Sequence, residues 1–208
     1  MARVPAAAAV ATGWLAGSIP FSQIGARRTK GVDLRTVGTG TVSGTALYEV
    51  AGFGALATAG VFEVAKGAVA PLLAGRDRPG IAAAAAGAAV VGHNWSPFLG
   101  GAGGRGISPA TGALLASAPA GAAVLLGGLA AGKLMKATGF VSFLAEVALV
   151  PVCAKVHGRR GALAASAVVA PMLVKRALGN RPLPRQQRLR VLRNRVLFDR
   201  DDGQLRAA

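Results

Sequence analysis

Acidic residues are scarce in this chain: 8 Asp and Glu stand against 24 Lys and Arg, a formal net charge of +16 over 208 residues. Cysteine is nearly absent. Cys153, the only one, lies in an apolar run, which excludes an intramolecular disulfide framework and argues against dithiol redox chemistry. Aromatic residues make up 5% of the chain. Only one, Phe198, stands in the basic C-terminal segment, which argues against nucleic acid as a partner. What fills the sequence instead is Ala, Val, Leu and Gly in long charge-free stretches, with a mean hydropathy of +0.48. A soluble domain that apolar would need its charges spread over a shell, whereas here they sit between the apolar runs. The pattern is that of a protein crossing a membrane several times, and the abundance of Ala and Gly suits helices packed closely in lipid.

A helix needs ~20 mostly apolar residues to cross ~30 Å of hydrocarbon, because lipid cannot satisfy a bare backbone amide. Residues 4–25, 80–99 and 107–132 meet that length. Residues 44–75 exceed one crossing and carry Glu49, Glu63 and Lys66, while 140–154 and 161–173 are short. The expected fold class is all-α, a polytopic transmembrane helix bundle, over residues 1–180, followed by a basic cytoplasmic tail over 181–208. A cleaved signal peptide at the N-terminus is disfavoured, since its basic region would hold only Arg3 and the apolar run continues past Ser18.

The first break between apolar runs holds Arg27, Arg28, Lys30 and Arg35. The positive-inside rule then sets the N-terminus outside. The loop around Arg105 and the His157-Gly158-Arg159-Arg160 turn are both expected on the cytoplasmic side, as is the tail. An odd number of crossings follows, so either the last apolar stretch is re-entrant or one long stretch folds into two short helices. From Arg181 to Arg206 the tail alternates Arg with Leu and Val, and Leu189, Leu192 and Val196 fall on one helical face. This reads as an amphipathic basic helix, either an anchor on anionic lipid or a solvated charge cluster.

Three regions carry candidate chemistry. Gly100-Gly101-Ala102-Gly103-Gly104-Arg105-Gly106 precedes an apolar run starting at Ile107. Such a loop can aim backbone N–H groups at an anion beside a helix start, with Arg105 as a fixed positive fork; a flexible turn or tight packing is the alternative. Gly38-Thr39-Gly40-Thr41-Val42-Ser43-Gly44-Thr45 offers hydroxyls and free amides. Glu63 and Lys66, at i and i+3 within an apolar stretch, can pair, and intramembrane ionisable residues mark functional interiors.

The order Gly17-Ser18-Ile19-Pro20-Phe21, Asp33-Leu34-Arg35 with Gly38-Thr39-Gly40, Lys66-Gly67, Gly92-His93, Phe98-Leu99 and Gly103-Gly104-Arg105-Gly106 resembles the acyl-phosphate-dependent glycerol-3-phosphate acyltransferases, the PlsY family. The resemblance runs from about Gly13 to Gly179. It implies a bacterial inner-membrane protein of about seven transmembrane helices, some half-length, that moves a fatty acyl group from acyl phosphate to the sn-1 hydroxyl of glycerol 3-phosphate, giving lysophosphatidic acid. The implied partners are acyl phosphate, glycerol 3-phosphate and membrane lipids, with no cofactor and no metal. Thr39, Thr45 and His93 are the candidate catalytic residues. Arg35, Gly40, Glu63, Lys66, Gly103, Gly104, Arg105, Gly106 and Arg176 are the candidate substrate-binding residues. Arg35 and Lys66 are assigned to the acceptor phosphate and the Gly103–Gly106 loop to the donor phosphate. His93 either acts in the site or anchors the loop.

The chain departs from the family pattern where the first loop usually carries two asparagines, and where Ala102 replaces a lysine. Residues 170–176 lack the His and Asn expected there. Two alternatives therefore stand beside the acyltransferase: transfer to another small acceptor, and a non-catalytic lipid- or acyl-phosphate-binding membrane protein. A cavity on which Arg35, Lys66 and Arg105 converge favours an enzyme; one filled by Ala46 and Leu173 favours the binding protein.

Overall fold

The structure, a computed structural model, describes residues 4–200. Arg3 and the end of the tail, including Arg206, lie outside the described residues. Among the described residues the chain is helical, with no strand: α1 Ala6–Ser18, α2 Phe21–Lys30, α3 Gly44–Ala74, α4 Pro79–Asn94, α5 Ile107–Ser117, α6 Pro119–Leu134, α7 Thr138–Leu178 and α8 Arg188–Phe198. Short 3-10 turns at Leu34–Thr36 and Pro97–Leu99 shape two of the loops.

Two helices are broken inside by glycines at positive φ. Gly52 (φ 77) bends α3, and Gly158 (φ 61) reverses α7. At Gly158 the reversal is tight enough that a methyl on Gly161 would overlap the Cys153 carbonyl, so α7 is a hairpin of two antiparallel halves. A straight helix of that length would run ~60 Å, twice the hydrocarbon thickness. Residue-by-residue contacts order the legs. Gly13 and Gly17 of α1 abut Ala85 and Ala89 of α4, so these two run parallel. Gly121 meets Cys153 and Gly128 meets Ala145, so α6 runs antiparallel to the first half of α7. Counting both halves of α7, seven legs pass between the two ends of the bundle: α1, the main part of α3, α4, α5, α6 and the hairpin. Loops 31–43, 95–106 and 179–187 gather at one end; turns 75–78 and 157–160 and the start of α1 gather at the other.

The odd crossing number is met because the apolar stretch 107–132 divides at Ala118-Pro119, where the ring of Pro119 starts α6 as its first helical residue. The His157–Arg160 turn, expected on the same side as the glycine loop, is not there. It lies at the end opposite the glycine loop, with Arg160 beside Arg76 and Pro79, because the extra crossing shifts every later turn to the other side.

The outer surface is apolar. Phe53, Val61, Leu72, Leu115, Val147 and Val156 are each at least half exposed. A shell of this kind demands lipid around it. Two helices, Gly44–Ala74 and Thr138–Leu178, are by themselves long and apolar enough to cross a membrane. Inside, helices meet through small residues: a methyl on Gly67 would overlap Pro109, and one on Gly112 would overlap Val64, so α3 and α5 touch backbone to backbone. The largest buried cluster joins α4, α5, α6 and both halves of α7 around Val90, Leu114, Leu149, Val168 and Met172.

The tail helix forms, but it presents a different face from the expected one. Val191, Asn194 and Arg195 are buried against the bundle, while Leu189 is 83% exposed. Arg195 decides this orientation, since its guanidinium donates to the Leu178 and Arg181 carbonyls at the end of α7.

Candidate active site

The site begins where α1 ends. Pro20 has no N–H to continue the helix, so the carbonyls before it are left without intrahelical partners. Lys66 Nζ donates to the Ile19 carbonyl at 2.6 Å, and Ser96 Oγ donates to the Ser18 carbonyl at 2.6 Å. The same break starts α2, whose first-turn amide at Ser22 donates to Glu63 Oε1 at 2.9 Å, joined by the Ser22 hydroxyl at 3.1 Å. A carboxylate at a helix N-terminus is favourably set against the helix dipole.

The other oxygen of Glu63 holds two more groups. Lys66 Nζ is 2.7 Å from Oε2, the expected i, i+3 pair, and His93 Nδ1 is 3.2 Å from it. All three side chains are buried. Charges this deep in an apolar bundle persist only when compensated, and Glu63 is hydrogen-bonded at Oε1 by Ser22 and ion-paired at Oε2 with Lys66. His93 projects from the end of α4 with its far nitrogen, Nε2, against Gly104. A methyl on Gly104 would overlap that ring, so glycine is required there by close approach. Glu63, Lys66, His93, Gly103 and Gly104 line one pocket, closed by Gly17, Ser18, Pro20, Val42, Ser96 and Leu99.

The glycine loop folds on itself before it meets the pocket. Ser96 N–H donates to the Ala102 carbonyl at 3.1 Å, Gly101 N–H donates to the Ser96 carbonyl at 2.9 Å, and Gly104 N–H donates to the His93 carbonyl at 3.3 Å. Gly103 is bound on both sides: its N–H donates to Asn180 Oδ1 at 3.2 Å, and its carbonyl accepts from Val42 N–H at 3.1 Å and Asn180 Nδ2 at 2.8 Å. Asn180 Nδ2 also reaches the Gly40 carbonyl at 2.9 Å. One side chain thus ties three loops together. Sequence reasoning missed it. The signal was the Gly179-Asn180 pair just past the end of α7, a position that reads as ordinary helix punctuation.

The remaining candidates occupy different positions. Arg35 is on the rim, with Nη1 donating to the Leu99 carbonyl at 3.3 Å and Nη2 2.6 Å from Asp33. Hydrogen bonds from Arg35, then from Arg27, hold the Asp33 carboxyl well below the usual carboxylate range. Thr39 Oγ1 donates to Thr41 Oγ1 at 2.8 Å in the first loop, and Thr45 is exposed in the first turn of α3. Gly106, at φ 85, is the residue immediately before α5. Two side chains turn elsewhere. Arg105 donates to the Lys175 carbonyl at 3.0 Å and pairs with Asp199 at 2.6 Å, so it faces the tail rather than the pocket. Arg176 is buried between the halves of α7, paired with Glu146 at 2.8 Å and donating to the Gly139 carbonyl at 3.0 Å. Hence Lys66 alone of the three expected cations lines the pocket, with Arg35 at its edge. Neither Ala46 nor Leu173 lines it.

Among known proteins, this chain is similar to glycerol-3-phosphate acyltransferases of Halalkalibacterium halodurans (38% identical over 126 residues, 59% of this chain and 61% of the relative) and Myxococcus xanthus (40% over 115 residues, 54% and 60%). It is also similar to glycerol-3-phosphate acyltransferase 5 of Dehalococcoides mccartyi, 34% identical over 157 residues, 70% of this chain and 64% of the relative. The chain therefore spans about three-fifths of the length of the relatives it matches. Its fold is that of crystallised PlsY, an integral membrane glycerol 3-phosphate acyltransferase. The glycerol 3-phosphate form superposes with a TM-score of 0.75 at 24% identity over 98% of this chain and 99% of that one. The lysophosphatidic acid form gives 0.71 at 21%, over 91% and 93%. Residues 7–180 match the family described as glycerol-3-phosphate acyltransferase, and the chain belongs to that family.

Proposed function

We propose that this protein transfers a fatty acyl group from acyl phosphate to the sn-1 hydroxyl of glycerol 3-phosphate. The observation that carries the reading is the pocket in which Lys66, Glu63 and His93 meet Gly103 and Gly104. Acyl phosphate is already activated, so the protein's task is to neutralise phosphate, align hydroxyl with carbonyl and stabilise developing charge. The hydroxyl oxygen bonds to the acyl carbon, the bond from that carbon to the phosphate oxygen breaks, and the hydroxyl proton leaves with the phosphate. No covalent enzyme intermediate is needed. Lys66, deep in the pocket, and Arg35, at its rim, are suited to the acceptor phosphate. The Gly103–Gly106 loop is suited to the donor, through close backbone approach rather than through Arg105. His93, held by Glu63, keeps that loop in register, and Thr39 and Thr45 bound the acceptor's path. Val42, Ser96 and Leu99 close the pocket, and the loops that border it are tied together by Asn180.

The crowd of basic residues at the glycine-loop end, with the tail helix docked there, supports a cytoplasmic site in a bacterial inner membrane and an N-terminus outside.

The test is the purified protein in lipid, supplied with acyl phosphate and glycerol 3-phosphate, following lysophosphatidic acid and released phosphate. Product is expected from the native chain and a loss of at least ~10²-fold from Lys66→Met. Phosphate release only with a different hydroxyl acceptor would move the assignment to that acceptor. Binding of acyl phosphate with no product from any acceptor would leave a binding protein.

A further inference from the structure

At the end of the bundle opposite the glycine loop, the turn between α3 and α4 and the turn inside α7 form a second pocket. Arg76 comes from the first turn and Arg160 from the second, and both line it. Neither guanidinium has a hydrogen-bonding or ionic partner among the described residues. This sets them apart from Arg78, which spends its donors on the Ala74 and Val4 carbonyls. The carboxylate in the same turn, Asp77, has a partner of its own and does not line the pocket, although its Oδ1 lies against Gly75, which does.

Two further features point into it. Ser117, at the end of α5, lines the pocket while only 7% exposed, and its hydroxyl has no partner among the described residues. The first turn of α4 also opens there, through Pro79, and no side chain caps it. Two unpaired guanidinium groups and the unpaired hydroxyl of an otherwise buried serine, beside the positive end of α4, favour the same guest, an oxyanion. The open volume is about 10 Å³. That is room for roughly one oxygen atom, so the rest of an anion would stay at the mouth under the arginines. Leu72, Leu115 and Leu163, each a chain neighbour of a lining residue, are exposed at this end of the bundle.

From this we infer that Arg76, Arg160 and Ser117 form a binding site for a phosphate group, separate from the acyl-transfer pocket and at the other end of the bundle. The exposed leucines favour a phosphate that carries acyl chains, that is, the headgroup of an anionic lipid; a free phosphate ion shares the oxyanion chemistry but gains nothing from them.

The test uses the full chain in an uncharged detergent, reading the apparent melting temperature against added phosphatidylglycerol, phosphatidylcholine and inorganic phosphate. Three variants accompany it: Arg76→Ala with Arg160→Ala, Arg76→Gln alone in case the double change impairs folding, and Arg188→Ala with Arg190→Ala in the tail. Phosphatidylglycerol is expected to raise the melting temperature by several degrees, more than phosphatidylcholine does. The double variant should need at least tenfold more lipid for the same shift, Arg76→Gln at least threefold more, and the tail variant no more than the native chain. An equal shift with inorganic phosphate, lost in the same variants, would keep the site and make its ligand a free ion. The inference is overturned if no phosphate compound shifts the native chain, if the shift survives both pocket variants, or if it is lost only in the tail variant.

Discussion

Arg105 Nε lies 2.6 Å from Asp199 Oδ1, joining the glycine loop to the residue that closes α8. The Arg105 side chain is 9% exposed and that of Asp199 31%. Removing one partner strands a largely desolvated charge, so Arg105→Ala and Asp199→Ala should each destabilise the protein by ~1–3 kcal/mol. In a double-mutant cycle read by thermal unfolding, the two should be coupled by ~1–2 kcal/mol. Simple additivity would mean the tail does not brace the loop.

Gly104→Ala drives a methyl into His93, whose ring is held in place from its other side by Glu63. Turnover should fall by ~10² or more as the loop is displaced, since misplacement near 1 Å carries a cost of that order. Gly54→Ala, on an α3 surface where a methyl meets nothing within 4 Å, should leave turnover unchanged. Comparable activity in the two variants would remove the case for close packing at Gly104.

Glu63→Gln keeps the shape of the side chain but leaves the buried Lys66 without its counter-charge. A loss of ~3–5 kcal/mol is expected. Thermal unfolding of the purified variant reads this directly, and a shift equivalent to less than ~1 kcal/mol would show that the cluster is not a charged one.

Asn180→Ala removes three hydrogen bonds between loops, at 2.8, 2.9 and 3.2 Å. At ~0.5–1.5 kcal/mol each, the cost is ~2–4 kcal/mol. Asn180→Asp keeps the acceptor for Gly103 N–H but loses both donated bonds, and should fall between. Protease nicking within loops 31–43 and 95–106 should accelerate in the same order; equal protection in all three proteins would deny Asn180 its clamping role.

The Asp33–Arg35 pair sets a pH dependence whose sign follows from the lowered carboxyl. Its stabilisation is complete above the ordinary carboxylate pKa of ~4 and fades as pH falls below that toward the folded value. Between about pH 5 and 8 this group should contribute no slope. Asp33→Asn should therefore flatten the acid limb of a stability-against-pH curve and leave the neutral region parallel to the native one. A difference confined to alkaline pH would contradict the assignment.

The apolar runs of α3, α4 and the α7 hairpin, the Glu63–Lys66 pair and the start of α5 at Ile107 were legible along the chain because each depends on neighbours within a turn or on the run of hydropathy, whereas the run 4–25 breaks after Ser18 into α1 and α2 and the run 107–132 divides into α5 and α6. Gly103 and Gly104 were legible as a special loop for the same local reason. Their amides were not, because the acceptors that take them, Asn180 and the His93 carbonyl, are chosen only when the loops meet. The direction of Arg105 was likewise hidden: a long side chain selects between a pocket and Asp199 according to where α8 docks, 94 residues later in the chain. Arg176 reads as a site residue from its motif, yet Glu146, 30 residues away on the other half of the α7 hairpin, draws it into the bundle.

Composition and charge alone required a membrane, since stretches that apolar have no stable surface in water. They also demanded an odd number of crossings, but left open which stretch supplied the extra one. That was decided by packing: Pro119 ends one leg and begins another, and small residues along α3, α5, α6 and α7 let the short helices fit side by side. The end at which each later loop lies, and so which arginines share a pocket, follows from that one break, because every turn after it changes sides.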